Sequence, residues 1–421
     1  MKDLNFEKIE TVNSVPLYVM HLPHANTVAA GVLVKAGTRE ENWPTEAGLA
    51  HALEHMLLQG TKRFPTSKDV HEYIEEIGGD QNAWTSHEGT FFHARVPAEH
   101  KIRAYEFISE VVLNPLLPEA KIRTEMQNIV EEIRMHNDDP VSFLVEQVAR
   151  PFLYGEHPAA RNITGSEKSV SSFQREQFVN FRKKFYHSGN YVFVAVGQIT
   201  VSEAQGLFEQ YFPEKAEPQA GRQAIKLVDS GKRRIVFKKE LKQVNLMLMA
   251  PVDLSDKKTE RALSLFATMI GGGASCPLFQ EVRDKRGLCY SIQVFLEELS
   301  DIGFFGVYIG TDPQRYQEAI DVTRDILVKY KTDAALLEKA KNMRLGSLDL
   351  AFEHTGGILG MAASDILEQG KPKGYKELKE EIMDIQIKDV ISAVDAFLKP
   401  ADIREALLVP QEPGYKAKLI N

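Results

Sequence analysis

Apolar residues follow two periods along this chain. Val15 to Leu22 and Val28 to Lys35 are short runs rich in β-branched and aliphatic residues, and they read as strands. From Glu46 to Phe152 apolar positions recur at helical spacing, broken by strand-like segments near Asn82 and Phe91. Another helical pattern precedes the apolar run Tyr191 to Gly197, and further strand signals occur at Arg234 to Phe237 and Val244 to Met249. The interleaving predicts an α+β fold.

The pattern repeats itself. At an offset of 212 positions Val170 falls on Ile382, Phe173 on Ile385, Gln174 on Gln386, Phe178 on Val390 and Phe185 on Phe397. These are the apolar positions of an amphipathic helix, and each copy precedes a short apolar strand, Tyr191 to Gly197 or Ala406 to Val409. Between the copies, residues 213–233 are rich in Pro, Gly and charge, as an interdomain linker is. The expected organisation is therefore 1–212, a linker at 213–233, and a homologous half at 234–421. Each half should be a helix-covered, mainly antiparallel sheet. The same offset carries His51 onto Leu263, Glu54 onto Phe266 and His55 onto Ala267, so the first half holds polar residues where the second holds core.

Length and composition narrow the class. A chain of 421 residues exceeds the usual single core of about 100–200 residues. Its 43% hydrophobic and 26% charged residues fit a folded globular protein. With 51 Lys and Arg against 59 Asp and Glu there is no basic surplus to displace counterions, which argues against a nucleic-acid partner. Two cysteines, Cys276 and Cys289, suggest a reducing compartment. The opening residues show neither a secretory nor a transit pattern, and no run of about 20 apolar residues suggests a membrane span. The expected location is the cytoplasm.

The segment Ala47 to Gly60 carries the chemistry. Leu49, Leu53, Leu57 and Leu58 predict a helix that ends at Gly60. Residues four apart share a helix face, so His51 and His55 can bind one ion, with Glu54 beside them as the base that activates water. This is the His-x-x-Glu-His order of inverted zinc-peptidase helices. A catalytic zinc takes three protein ligands and leaves one position open. The helical segment Lys121 to His136 offers the third: Glu132 is the candidate ligand, Glu125 shares its face seven residues earlier, and Glu131 is turned away by about 100°. His136, one turn beyond Glu132, is a rival ligand. Histidines 71, 87, 93 and 187 have no partner spacing, and Gly271 to Gly273 lack the Lys-Ser or Lys-Thr of a phosphate loop.

These residues resemble the pitrilysin, insulin-degrading enzyme and mitochondrial processing peptidase family of zinc peptidases, the inverzincins, in its short two-domain type. Its signature is His-x-x-Glu-His, 76 further residues, then Glu; position 55 plus 77 is 132. Glu125 fits the family's second glutamate. The run Ala36 to Glu41, Gly60-Thr61, Asn82 to Thr85, and Arg283 to Tyr290 also have counterparts. Cys276-Pro277, Arg161 to Gly165, and Leu57 to Gln59 depart from it, none at the metal. The resemblance implies a zinc metalloendopeptidase acting on peptides or unfolded segments in an enclosed chamber. It implies that Asn82 and Ala83 pair with the substrate backbone as an edge strand, and that Arg283 and Tyr290 contact the substrate carbonyl. It also implies a homodimer, or a heterodimer with a related subunit. The rival reading is a non-catalytic scaffold or complex subunit of the same fold.

Overall fold

The computed structural model of the chain describes residues 4–213, 222, 224, 231–239, 241–397 and 403–411. Most of the expected linker 213–233 lies outside them, namely 214–221, 223 and 225–230. The fold is mixed α and β, in two halves, each with its own sheet. Strands β1 (Glu7–Glu10), β2 (Pro16–His21), β3 (Thr27–Val34), β4 (Asp80–Thr85), β5 (Thr90–Pro97) and β6 (Tyr191–Gly197) form a six-stranded sheet in the order β1-β2-β6-β3-β5-β4. Strands β7 (Arg233–Lys238), β8 (Val244–Val252), β9 (Cys289–Glu298), β10 (Gly303–Thr311) and β11 (Arg404–Pro410) form the second, in the order β7-β11-β8-β10-β9.

The two sheets share one connectivity. In the first, β2 pairs with β6 in parallel, and β6-β3, β3-β5 and β5-β4 are antiparallel. In the second, β7 pairs with β11 in parallel, and β11-β8, β8-β10 and β10-β9 are antiparallel. The repeat read at offset 212 has a structural counterpart: the helix Arg175–Phe185 in one half and the helix Ile387–Phe397 in the other are 212 apart at both ends. A helix follows β3 at Leu49–Leu57, and one follows β8 at Lys257–Gly271, where Leu263 and Phe266 are fully buried.

Both sheets are covered on both faces, which is why their central strands read as continuous apolar runs. Along β8, Val244, Leu246, Leu248 and Ala250 face one core. Met247 and Met249 face another, built with Leu144, Val148 and Phe152. Leu144 to Phe152 come from the N-terminal half of the sequence. Reciprocally, the helix Thr355–Gln369, from the C-terminal half, packs on β6 and β3. Packing therefore divides the chain differently from the expected contiguous limits: Met1–Met135, Arg161–Gln223 and Asp349–Leu378 form one unit, and His136–Ala160, Ala224–Leu348 and Lys379–Asn421 the other. The cause is that each sheet needs a second apolar cover, and alternation within a strand does not say which part of the chain supplies it. No helix among the described residues is long and apolar enough to cross a membrane.

Candidate metal centre

The helix Leu49–Leu57, in the first unit, buries Leu49, Leu53, Met56 and Leu57 in the core beneath the first sheet. Its N-cap position is Gly48 at φ +87, which has no side chain to satisfy the first amides. Glu41 does so from outside the helix: its carboxylate accepts from Gly48 N and from Ala50 N, both at 2.9 Å. Burial holds the Glu41 carboxyl well above the usual range, while the Ala50 and Gly48 amides oppose that shift. A Cβ on Gly48 would lie 2.5 Å from Thr164 O, so both φ and space demand glycine here. The helix ends at Leu57, three residues before the expected stop at Gly60, which turns the chain at φ +140.

One turn apart on this helix, His51 and His55 bring their ring centroids within 4.7 Å. The helix Glu119–Asp138 packs through Ile122, Met126, Ile129, Val130 and Ile133; Glu125 and Glu132 flank that apolar stripe and are half-buried, whereas Glu131 lies on the opposite, exposed side. Glu132 lies 3.7 Å from His51 Nε2 and 4.0 Å from His55 Nε2, and Glu125 lies 3.8 Å from His55 Nδ1. Ligand atoms of His51, His55 and Glu132 all fall within 4.8 Å of one another. Glu131 points elsewhere and pairs with Arg134 at 2.8 Å. His136 belongs by packing to the second unit, where it faces Glu146 at 3.6 Å.

The donor set suits zinc. Two imidazoles and a carboxylate with no thiolate is a ligand set of catalytic zinc, whose bond lengths of about 2.0–2.2 Å place tetrahedral donors roughly 3.4 Å apart. The observed 3.7 and 4.0 Å are close to that spacing. The local field also favours a cation. Burial acts to lower the His55 pKa, yet Glu125, Glu54 and Glu132 together raise it. Glu54 is buried beside the histidines, and burial raises its carboxyl pKa against the opposing effects of Thr85 and His55. The Thr85 hydroxyl donates to Glu54 Oε2 at 2.5 Å.

Asn82 and Ala83 lie in β4, the terminal strand of its sheet, opposite His93 and Phe92 of β5. Arg283 and Tyr290 are in the second unit. Arg283 sits in the helical turn Phe279–Asp284 and Tyr290 near the start of β9, with the guanidinium 4.9 Å from the tyrosine ring centroid. Tyr290 is 74% exposed. The structure thus assembles His51, Glu54, His55, Glu125 and Glu132 in one cluster and Arg283 with Tyr290 as a pair. Sequence reading missed two members of this environment, Glu41 and Thr85. Both lie in segments with counterparts in the resembled family, Thr85 at the end of Asn82 to Thr85 and Glu41 at the end of Ala36 to Glu41, but nothing in the spacing gave either a role.

Two family models match the chain: one described as Insulinase (Peptidase family M16) over residues 18–166, and one described as Peptidase M16 inactive domain over residues 172–344. A protein of Mycobacterium bovis named as an uncharacterized zinc protease is 30% identical over 407 residues, covering 94% of this chain and 91% of that protein. Among solved structures, a protease from Helicobacter pylori superposes with a TM-score of 0.88 at 21% identity, over 97% of this chain and 100% of that one. A structure titled peptidase M16 inactive domain, from Pseudomonas fluorescens, gives 0.85 at 20% identity over 97% and 99%.

Proposed function

The chain belongs to the insulinase family, peptidase family M16, and on that premise we propose that it is a zinc-dependent endopeptidase acting on peptides or unfolded polypeptide segments. The observation that carries the reading is the convergence of His51, His55 and Glu132 beside the buried Glu54. These three side chains would hold the ion. Bound there, zinc would lower the pKa of a water to about 7 and polarise the scissile carbonyl.

The chain's own residues supply the rest. Glu54 Oε2 is occupied by Thr85, and no hydrogen bond engages Oε1 among the described residues, so Oε1 is the atom placed to take the proton of the attacking water and hand it to the leaving amine. Glu125, beside His55 Nδ1, orients that ring. The outer edge of β4 at Asn82 and Ala83 offers backbone N–H and C=O groups to an extended peptide. Arg283 and Tyr290 are assigned to the negative charge that develops on the carbonyl oxygen, a role that rests on the family resemblance. The proposed partner is a second copy of this chain. A second reading, a non-catalytic scaffold, has in its favour the match of residues 172–344 to the family's inactive domain.

Dialysis against 1,10-phenanthroline separates the readings. It should abolish hydrolysis of fluorescein-labelled unfolded casein, and added zinc should restore it. Hydrolysis that persists in metal-free protein overturns the zinc dependence, and absence of hydrolysis in zinc-loaded protein overturns the peptidase reading.

A further inference from the structure

We propose that Thr85 is a positioning residue for the general base: its hydroxyl fixes the Glu54 carboxylate in the rotamer that leaves Oε1 toward the reacting water. The proposal rests on the peptidase reading above, and it adds a residue that the motif does not contain.

Glu54 is buried at 7% exposure, and the Thr85 hydroxyl at 2.5 Å from Oε2 is its hydrogen-bonding side chain among the described residues. A glutamate has three side-chain torsions, the last of them broad, so a carboxylate without this anchor would sample several orientations. The Glu132 carboxylate acts on Glu54 as a like charge, and the charge-assisted hydrogen bond from Thr85 opposes displacement. Angular placement of a base matters because proton transfer demands hydrogen-bond reach in the reacting geometry.

The anchor itself cannot drift. Thr85 is the last residue of β4 and pairs with Thr90, whose hydroxyl donates to Ala36 O at 3.0 Å. The following turn is closed by Ser86 Oγ, which accepts from Glu88 N at 3.2 Å and Gly89 N at 3.1 Å. Outside the turn, Thr38 N and Arg39 N donate to Ser86 O and His87 O at 3.3 and 3.0 Å. Gly37 lets these two segments meet, since a Cβ there would lie 2.3 Å from Ser86 O. The strand that ends in Thr85 is the one carrying Asn82 and Ala83, and the helix Leu49–Leu57 packs against it. One rigid strand therefore sets both the register of a docked peptide and the direction of the base.

The test compares full-length wild type, Thr85→Val, Thr85→Ser, Glu54→Gln and the Glu54→Gln/Thr85→Val double variant. The probe is a quenched fluorescent peptide selected from a mixed-sequence library by wild-type cleavage; zinc content and melting temperature are recorded for each protein. Thr85→Val should lower kcat about ten- to a hundredfold, the equivalent of losing one hydrogen bond to a charged group, with KM and zinc content unchanged and the protein still folded at the assay temperature. Thr85→Ser should recover most of that loss. In the Glu54→Gln background, Thr85→Val should cost nothing further, because the hydroxyl acts through the carboxylate. Wild-type kcat in Thr85→Val, an equal loss in Thr85→Ser, or a loss that tracks zinc content overturns the proposal. Full activity in Glu54→Gln would also overturn the proposal, by removing Glu54 as the base, whereas a zinc-loaded wild type that cleaves no peptide of the library would instead overturn the peptidase reading itself.

Discussion

Replacing Glu41 with Ala removes the group that caps the histidine-bearing helix. In the folded chain its two oxygens each accept one backbone amide, from Gly48 and Ala50 at 2.9 Å, and the residue is 7% exposed. With the carboxyl neutral, the form in which its contribution is fullest, hydrogen bonds contribute about 0.5–1.5 kcal/mol each, or about 1–3 kcal/mol for the two amides together. Loss of a helix cap alone costs about 0.5–2 kcal/mol. A net deficit of about 2 kcal/mol follows, equivalent to a melting temperature lower by about 4–8 °C for a unit of this size. The pH dependence has a definite sign. Burial raises the folded-state pKa of Glu41 above its ordinary 4.5, so the stability it contributes is fullest below that value and falls as pH rises toward the folded pKa. The deficit of Glu41→Ala should therefore narrow between pH 4.5 and neutrality. Circular-dichroism melts of zinc-free wild type and variant across that range provide the assay. An unchanged melting temperature at every pH would refute the capping argument, and a deficit that widens with pH would refute its electrostatic sign.

Two further substitutions probe the site. Glu132→Ala should strip zinc from the purified protein, whereas Glu131→Ala, whose carboxylate pairs with Arg134, should retain it; equal losses in metal analysis would refute the assignment of faces on that helix. Tyr290→Phe should lower kcat about 10²-fold or more if its hydroxyl serves the carbonyl oxygen, and unchanged turnover would return this 74% exposed tyrosine to an ordinary strand position.

Much of the fold was legible in the sequence because its strands are strongly apolar. β6 coincides with the run Tyr191 to Gly197, and β8 begins at Val244 as the pattern indicated. The duplication was legible through one amphipathic helix whose core positions recur 212 residues later. The exchange of covering helices was not. Phe152 and Leu359 are apolar wherever they pack, and nothing local in their segments says which sheet they cover. At the site, the shared face of His51 and His55 and that of Glu125 and Glu132 were legible, because helical geometry converts intervals of four and seven into shared faces, and the structure brings these side chains together. Glu41 and Thr85 act through tertiary hydrogen bonds at sequence separations of 9 and 31, for which sequence carries no periodic signal.

Metal content and turnover measured on one preparation of Glu54→Gln decide the zinc peptidase assignment. The substitution keeps the size of the side chain and leaves His51, His55 and Glu132 intact, so bound zinc should match wild type at one ion per chain. Hydrolysis of unfolded casein should fall by about 10²–10⁴-fold, the range for loss of a general base. Zinc retained with near-wild-type hydrolysis would contradict the role of Glu54, and a wild-type chain that binds no zinc would contradict the metal centre.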